Sequence, residues 1–450
     1  MKSIQQVVTE FIRDIMNLDI TEGIGTYQKK GQACFNEVIC RLTEARIREV
    51  DTYVYENPQS RKGWNVEQKD VSRELVTQHG TIRYERRYYR HKKSGERSYL
   101  ADSLVNVAGG ERIEVELAAE MCEYATEHSY EKSAQITCNG NVSRQTVMNR
   151  TRKVSGYEID KCGTRSGTVI HIQADEDHVA MQDGRSVMPK LLAIHEPVTK
   201  VPGKRDFLPN RYLMSSYNET PQDMWERVGK EIDIRYGNLE DLKIYIHGDG
   251  ASWIKNGVSE LGTGRFVLDR FHVSRYIHRV TNGDIEYTKY IWERMKANDQ
   301  RAIRTFVKAC VDSEICAEKT GNDFLRYIRN NWSGIQIWYD PEEQAGISCA
   351  EGLVSHIYAD RLSSRPRGWM DEGLTAIASL RVYVKNGGRI RPEHIRTKEN
   401  PFIRASKKMK EKLRKNAHRG YDVRTAFCCA RRHTPEYALY RSVKDSGMKF

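Results

Sequence analysis

The sequence predicts an α/β protein in which a strand-rich core follows a mainly helical region. Between residues 169 and 268, short runs of β-branched and aliphatic residues alternate with amphipathic helical patterns. Two of the strand-like runs end in an aspartate, Asp175 and Asp249. Before residue 160 the apolar residues recur mostly at helical spacing. These three observations separate the chain into a helical first part and an α/β second part.

The core is predicted to contain five strands and two helices. The first two strands are expected to pair across a turn at residues 183–185, and Trp253 and Ile254 mark the second helix. The predicted strands cover 169–182, 190–196, 211–216, 243–247 and 265–268, and the first helix covers 221–236. The predicted order is that of an RNase H-like nuclease core, in which three antiparallel strands are followed by a helix, a strand, a second helix and a last strand.

Helical spacing without any strand pattern from 273 to 345 predicts an insertion in this core. The predicted regions are an N-terminal helical region (1–60), a basic β-hairpin region (61–113), a helix-turn-helix region (114–160), the catalytic core (168–272 and 346–385), the helical insertion (273–345) and a basic C-terminal tail (386–450). The tail is expected to be a solvated or DNA-contacting helix, or partly disordered.

A basic strand is predicted in the hairpin region. Residues 80–90 alternate and are rich in aromatic and β-branched types, and a turn follows at 92–95. Tyr84, Tyr88 and Tyr89 could lie on a phosphate backbone. They could equally form ordinary cross-strand aromatic pairs, and the sequence leaves both interpretations open.

The helix-turn-helix pattern consists of short helices around 117–124, 130–136 and 142–152. Ser143 is expected to cap the third helix. The third helix would then turn four polar side chains outward, where they could read base edges or contact phosphates: Arg144, Gln145, Asn149 and Arg152. The alternative is a purely structural helical bundle.

The net charge of +12 favours a polyanionic partner. No apolar run approaches the ~20 residues that a membrane-spanning helix needs, and the N-terminus has no apolar signal core, so no membrane association and a cytosolic location are expected. The ten cysteines show no Cys-x-x-Cys pair, which favours buried free thiols, with a structural zinc site as the lesser alternative.

Asp175 and Asp249 should meet because their strands are adjacent in this order. Burying a carboxylate is costly unless a partner or a metal compensates the charge, so a shared cation is expected. Gly250 permits the sharp turn after Asp249, and Glu351 is the best-placed third acid. Three acids can hold two Mg²⁺ ions, with Mn²⁺ as a substitute.

Other acids lie near these positions. Asp177 shares the face of Asp175 and could contribute, whereas Glu176 should point to the opposite face. Asp269 follows the fifth strand and is a candidate for supporting the metal ligands. For any one of these acids alone, a solvated loop or a helix cap is the ordinary role.

The chain resembles the ISLre-type bacterial insertion-sequence transposases, which are similar to the Mutator-like DDE group. The resemblance spans nearly the whole chain and is carried by residues 174–179, 247–254, 266–273, 350–356 and 363–369. It implies a catalytic, metal-binding triad at Asp175, Asp249 and Glu351. The Asp269-x-x-His272 element is similar to the C/D-x-x-H motif of Mutator-like enzymes and implies a supporting role for both residues.

The implied function is Mg²⁺-dependent DNA cleavage and strand transfer. The partners would be double-stranded DNA, both insertion-sequence ends and target, and further copies of the chain in a homo-oligomer on DNA. The alternative is a non-catalytic DNA-binding regulator or a domesticated relative. Helical spacing predicts that Glu351, Ser355 and Tyr358 share one face, which must pack along the sheet if Glu351 is to reach both aspartates.

Overall fold

A computed structural model describes residues 4–159, 165–199, 207–237, 239–365, 368–395 and 405–420. The chain divides into two compact units: Met1–Ala125, Ser129–Ser155 and Arg391–Phe450 form the first, and Thr126–His128 and Gly156–Ile390 form the second. Its helices and mixed strand pairing confirm the predicted α/β class. No helix in the described ranges is long and apolar enough to cross a membrane.

The first unit opens with two helices, as predicted. Helix α1 covers Ile4–Met16, and α2 covers Ile24–Glu56. A three-stranded antiparallel sheet follows, with β1 at Trp64–Thr77, β2 at Gly80–His91 and β3 at Arg97–Ser98, and the short helix α3 covers Leu100–Leu104. Strand β2 and the turn after it were predicted, whereas β1 was not.

The tyrosines of β2 lie inside the unit, which corrects one of the two interpretations of the hairpin. Tyr84 and Tyr89 are 1% and 0% exposed, so neither ring can lie on a DNA backbone. The Tyr84 hydroxyl donates to Asp102 of α3 at 2.9 Å. Tyr88 is half-buried, and its ring centroid lies 4.6 Å from that of Tyr99. These rings pack in the sheet, as in the structural alternative.

Three short helices complete the predicted helix-turn-helix region, namely α4 (Val115–Glu127), α5 (Tyr130–Cys138) and α6 (Arg144–Thr151). The predicted cap is confirmed, because the Ser143 hydroxyl accepts the Thr146 N–H at 3.3 Å. Of the basic tail, Lys407–Gly420 forms one further helix, and its Met409 is buried beside Tyr53. Residues 396–404 and 421–450 of the tail lie outside the described residues.

The second unit is built on a five-stranded mixed sheet. The strands cover Val169–Glu176 (β4), Lys190–His195 (β7), Tyr212–Ser216 (β8), Lys243–Gly248 (β9) and Gly264–Leu268 (β10). Their order across the sheet is β10-β9-β4-β7-β8. Strands β9 and β10 run parallel to β4, β7 runs antiparallel to β4, and β8 runs antiparallel to β7. The predicted strands and their order along the chain are confirmed.

One strand boundary was wrong. The first core strand ends at Glu176 and does not continue to Gln182. Two short strands beyond it, Val179–Ala180 (β5) and Ser186–Val187 (β6), form a separate two-stranded ribbon. The turn at 183–185 therefore closes this ribbon, and β4 pairs with β7 on its own.

The two faces of β4 differ in chemistry. Ile170, Ile172 and Ala174 pack in an apolar core under two helices, Pro221–Tyr236 (α7) and Ser252–Leu261 (α8). Because side chains alternate along a strand, the other face carries His171, Gln173 and Asp175. The acid predicted to hold metal thus lies on the polar face.

The remaining helices include the predicted insertion, which has its own apolar core around Phe324 and Ile328. Their bounds are Arg270–Val280 (α9), Ile285–Lys296 (α10), Gln300–Asp312 (α11), Glu318–Asn330 (α12), Trp332–Gln336 (α13), Ala350–Val354 (α14), Asp360–Leu362 (α15), Asp371–Lys385 (α16) and, in the first unit, Lys407–Gly420 (α17). A π-turn at Ser355–Ala359 separates α14 from α15.

The cysteines agree with the prediction of free thiols wherever they are described. Seven are described, all seven are free, and four of them are buried. Cys162, Cys428 and Cys429 lie outside the described residues.

Candidate metal centre

Three neighbouring parallel strands each end in an aspartate. Asp175 lies near the end of β4, Asp249 follows β9, and Asp269 follows β10. The register aligns Gln173 with His247 and Leu268 with Gly248, so the three carboxylates come to the same edge of the sheet. The sequence prediction that Asp175 and Asp249 end adjacent strands is confirmed.

Asp175 is the most desolvated of the predicted ligands. It is 9% exposed, and its carboxylate accepts the Glu176 N–H at 2.9 Å. Burial, together with the nearby charges of Asp249, Glu351 and Asp269, raises the pKa of Asp175 to about 7. In the described part of the chain no Lys or Arg forms an ion pair with Asp175. The acids around Asp175 therefore concentrate negative charge without a Lys or Arg ion pair to Asp175 in the described ranges.

Asp249 is fixed by a tight turn. Gly250 has φ +96°, and a Cβ at this position would lie 2.5 Å from the Asn331 side chain, so the expected need for glycine is confirmed. The Asp249 carboxylate accepts the Ala251 N–H at 2.9 Å. From helix α12, the Tyr327 hydroxyl donates to the Asp249 carbonyl at 2.7 Å. The insertion thus holds the backbone of this acid.

Glu351 reaches the site because the start of α14 is hydrogen-bonded to β4. The Cys349 N–H, just before α14, donates to the Gln173 side-chain oxygen at 3.0 Å, and Gln173 shares the face of Asp175. Glu351 is the second residue of α14, and its side chain is 53% exposed.

The prediction that Glu351, Ser355 and Tyr358 share one helix face is wrong. Glu351 and Ser355 are exposed, whereas Tyr358 is fully buried. The reason is the π-turn at Ser355–Ala359, whose wider winding breaks the expected spacing. Leu353, Val354, Ile357 and Tyr358 form the face that packs inward.

Buried Arg381 of α16 satisfies the carbonyl groups of this π-turn. Its guanidinium donates to the carbonyls of Ile357 and, at 3.1 Å, His356, and pairs with the Asp360 carboxylate at 3.1 Å. Arg381 is 1% exposed, and removal of its side chain would take this buried donor away from the two carbonyl groups. Arg381 therefore fixes the segment that follows Glu351.

One ligand atom each from Asp175, His272 and Glu351 lies within 4.8 Å of the other two. His272 is on α9, which begins where the Asp269 carboxylate accepts the Phe271 N–H at 2.9 Å. The His272 Nε2 is buried without a hydrogen-bond partner among the described residues, and it lies 3.9 Å from the Glu351 carboxylate. Two acids and an orphaned imidazole nitrogen are groups that fit a cation.

The other predicted acids stand apart from this three-residue cluster. Asp249 is near enough to raise the pKa of Asp175 but is not a member of the cluster. Glu176 accepts the Trp253 indole N–H at 3.0 Å, in agreement with its predicted opposite face. Asp177, which was expected to be able to contribute, accepts the Ser363 hydroxyl at 2.8 Å instead.

The sequence did not predict a group of buried histidines on the same face of the sheet as Asp175. His171 and His247 lie on adjacent strands, with Nδ1 and Nε2 3.0 Å apart, and the His171 ring stacks on that of His195 at 5.3 Å. Burial lowers the pKa of His171 to about 4 and lowers that of His247 well below its usual value. The sequence signal that could have indicated these histidines is their position at alternate residues of strands that are otherwise apolar.

In the first unit, the predicted DNA-reading residues of α6 are mostly exposed. Arg144, Gln145 and Asn149 are exposed, and the Gln145 amide donates to Asn149 at 3.1 Å. Arg152 is half-buried at the end of the helix, so the expectation that it faces outward holds only in part.

The chain belongs to UPF0236, described as an uncharacterised protein family, whose model matches residues 15–399. It is 36% identical over 420 residues to a UPF0236 protein of Caldanaerobacter subterraneus subsp. tengcongensis, covering 92% of this chain and 89% of the relative. A second UPF0236 protein of that bacterium is 36% identical over 431 residues, covering 92% and 90%, and its name joins eleven locus designations. The family therefore has many paralogues in one bacterium.

Proposed function

We propose that the chain is a DDE-type transposase of a bacterial insertion sequence, with an RNase H-like catalytic core in its second unit. The observation that carries the proposal is the site of Asp175, His272 and Glu351, where two carboxylates and an imidazole come together and, among the described residues, no Lys or Arg pairs with either acid. Natural proteins neutralise a buried carboxylate or bind a cation beside it. A cation site at this edge of the sheet is the simplest account of the arrangement.

The sheet supports the RNase H-like part of the proposal. Three successive antiparallel strands, β4, β7 and β8, are followed by β9 and β10, which add in parallel on the other side of β4. Acids at the ends of β4 and β9, with a third acid from a helix after an insertion, match the predicted triad of Asp175, Asp249 and Glu351.

Mg²⁺ is the proposed cofactor, because carboxylate oxygens are its preferred protein ligands. When bound, paired divalent cations activate water or a 3′-hydroxyl and stabilise the departing 3′ oxygen. Asp175, Asp249 and Glu351 would hold them. The buried Nε2 of His272, 3.9 Å from the Glu351 carboxylate, would be available as a further ligand beside Asp175 and Glu351.

The number of similar proteins in one bacterium supports the proposal that the gene belongs to a mobile element. Eleven locus designations for one protein of a single bacterium are the outcome expected of a sequence that copies itself within a genome. An exposed polar face on α6 and the net charge of +12 support binding to DNA ends and target. A homo-oligomer on DNA is part of the same proposal.

The test uses the full chain and DNA carrying terminal inverted repeats, which the proposal expects on either side of its gene. With Mg²⁺ or Mn²⁺, strand cleavage is expected for the native protein, and Asp249→Asn should lower its rate more than about 100-fold, since metal ligands supply several kcal/mol of transition-state stabilisation. Asp241→Asn, at an exposed acid before β9, is the matched control and should cleave normally.

DNA binding by the Asp249→Asn variant should persist. Cleavage at the native rate by this variant would contradict the triad. Specific binding of the repeats without metal-dependent cleavage by the native protein would favour the non-catalytic regulator.

A further inference from the structure

Helix α9 leads away from the candidate metal centre with an aromatic ring exposed at its start. Phe271 is 46% exposed, and its ring centroid lies 5.6 Å from that of His272, with the two rings edge to face. His272 belongs to the cluster with Asp175 and Glu351. Phe271 is therefore an apolar surface directly beside the acids.

Two arginines continue the same side of α9. The Arg275 guanidinium lies 5.7 Å from the Phe271 ring centroid, and that of Arg279 lies 6.0 Å from the Tyr276 ring. Both arginines are exposed, and neither forms an ion pair with another residue in the described ranges. At 1.5 Å per residue they follow Phe271 by about 6 and 12 Å. We name Phe271, Arg275 and Arg279 the α9 stripe.

An aromatic ring followed by exposed guanidinium groups is the chemistry that binds single-stranded nucleic acid, since bases stack on the ring and cations contact phosphates. In a duplex the base faces are already stacked on each other, so only an unpaired base offers a free face to Phe271. A protein partner fits less well, because one aromatic ring followed by two cations is not a contiguous apolar patch.

We propose that the α9 stripe binds an unpaired stretch of DNA strand next to the acids, with one base stacked on Phe271 and phosphates on Arg275 and Arg279. This inference rests on the proposed function, since it assigns the strand that enters or leaves the same site. It predicts a preference for DNA in which the strand is unpaired near the cleavage position.

The test measures binding by the full chain in the presence of chelator, so that no cleavage occurs. The probes are a random-sequence duplex with a short single-stranded tail containing 2-aminopurine and the same duplex with blunt ends. Phe271→Ala should weaken binding of the tailed probe about tenfold and leave the blunt probe unchanged. Phe271→Trp should restore tailed binding and the quenching of 2-aminopurine.

Two further variants separate stacking from charge. Replacing Arg275 and Arg279 by Ala should reduce the slope of log affinity against log salt by about 0.7 for each phosphate of the tail that is no longer neutralised. Tyr287→Ala and Arg304→Ala, at exposed positions of α10 and α11, are the matched controls and should leave tailed binding unchanged.

Equal binding of both probes by native protein and Phe271→Ala would overturn the inference. A changed sedimentation coefficient of Phe271→Ala with unchanged tailed binding would also overturn it, since the face would then bind a second copy of the chain. The proposed function fails separately: Phe271-dependent tail binding in a protein without metal-dependent cleavage would leave the α9 stripe standing and remove the catalytic assignment.

Discussion

The two units treat a buried carboxylate in opposite ways. In the first unit, Asp102 is 3% exposed and is paired with the Arg86 and Arg73 guanidinium groups and hydrogen-bonded to the Tyr84 hydroxyl. In the second unit, Asp175 is 9% exposed and has further acids as its charged neighbours. Asp102 is compensated by the fold itself, so its role is structural. We propose that Asp175 is left for a cation from outside, and this difference supports the candidate metal centre.

The largest expected effect on stability is therefore in the first unit. Asp102→Ala should lower the local free energy of unfolding by about 3–5 kcal/mol, because two buried guanidinium groups lose their counter-ion. Hydrogen exchange of the β1 and β2 amides measures it. Unchanged protection of these amides would show that the Arg73–Arg86–Asp102 network is not what stabilises this sheet.

In metal-free protein, Asp175→Asn should increase the free energy of unfolding, in contrast to Asp102→Ala, which should decrease it. The pKa of Asp175 is raised from 3.8 to about 7 in the folded state. The free energy of unfolding therefore falls as the pH rises from about 4 to 7, and the full loss is reached above pH 7. Asn removes this penalty and should stabilise β4 by about 2–4 kcal/mol at pH 8, and by little at pH 4. Hydrogen exchange of the β4 amides at the two pH values checks it, and a loss of stability at pH 8 would refute the account.

Exposed polar groups of α6 in the first unit are expected to serve recognition. Replacing Arg144 and Gln145 together by Ala should reduce discrimination between element ends and random DNA by about 1–3 kcal/mol for each base that these side chains read. Competition binding with both DNAs measures it. An equal loss of affinity for both would mean that α6 binds only the backbone, and no loss would refute the helix-turn-helix interpretation.

The smallest effect is expected where the insertion supports the site. Tyr327→Phe removes the hydroxyl that donates to the Asp249 carbonyl and should cost about 0.5–1.5 kcal/mol, visible as a lower kcat with unchanged DNA affinity. Tyr276→Phe, on the ring stacked against Tyr327, is the control. If both variants lowered kcat equally, the loss of activity would be explained by general packing of the insertion and not by the Tyr327 hydroxyl.

The acids were predictable because each ends a run of strand-forming residues, a pattern that depends only on local sequence. Asp175, Asp249 and the glycine after Asp249 follow from it. The family resemblance implied a supporting role for His272, but strand and helix patterns could not predict its approach to Asp175 and Glu351, because that depends on how α9 leaves the sheet and how α14 returns after the insertion. The π-turn after Glu351 likewise depends on Arg381, which lies on a different helix.

Strand β1 was missed for a different reason. Its outer half is polar, and its pairing with β2 shifts register between Val66 and Gln68 and again before Val71, with Asp70 at φ +55°. Without this partner strand, the sequence could not show that Tyr84 and Tyr89 are covered. Alternation located the strand β2 correctly but could not say which of its faces is buried.

The most direct test of the central claim is calorimetric titration of Mn²⁺ into the native full chain and into Asp175→Asn at about pH 6.5, where a carboxyl group with a pKa of about 7 is still mostly protonated. The acidic site predicts that the native protein binds Mn²⁺ with release of protons, because a carboxyl group whose pKa is raised to about 7 must ionise fully to bind a cation. Asp175→Asn should lose this binding, whereas Asp102→Asn should keep it. Equal Mn²⁺ binding by native protein and Asp175→Asn would contradict the assignment of the buried acids as a metal centre.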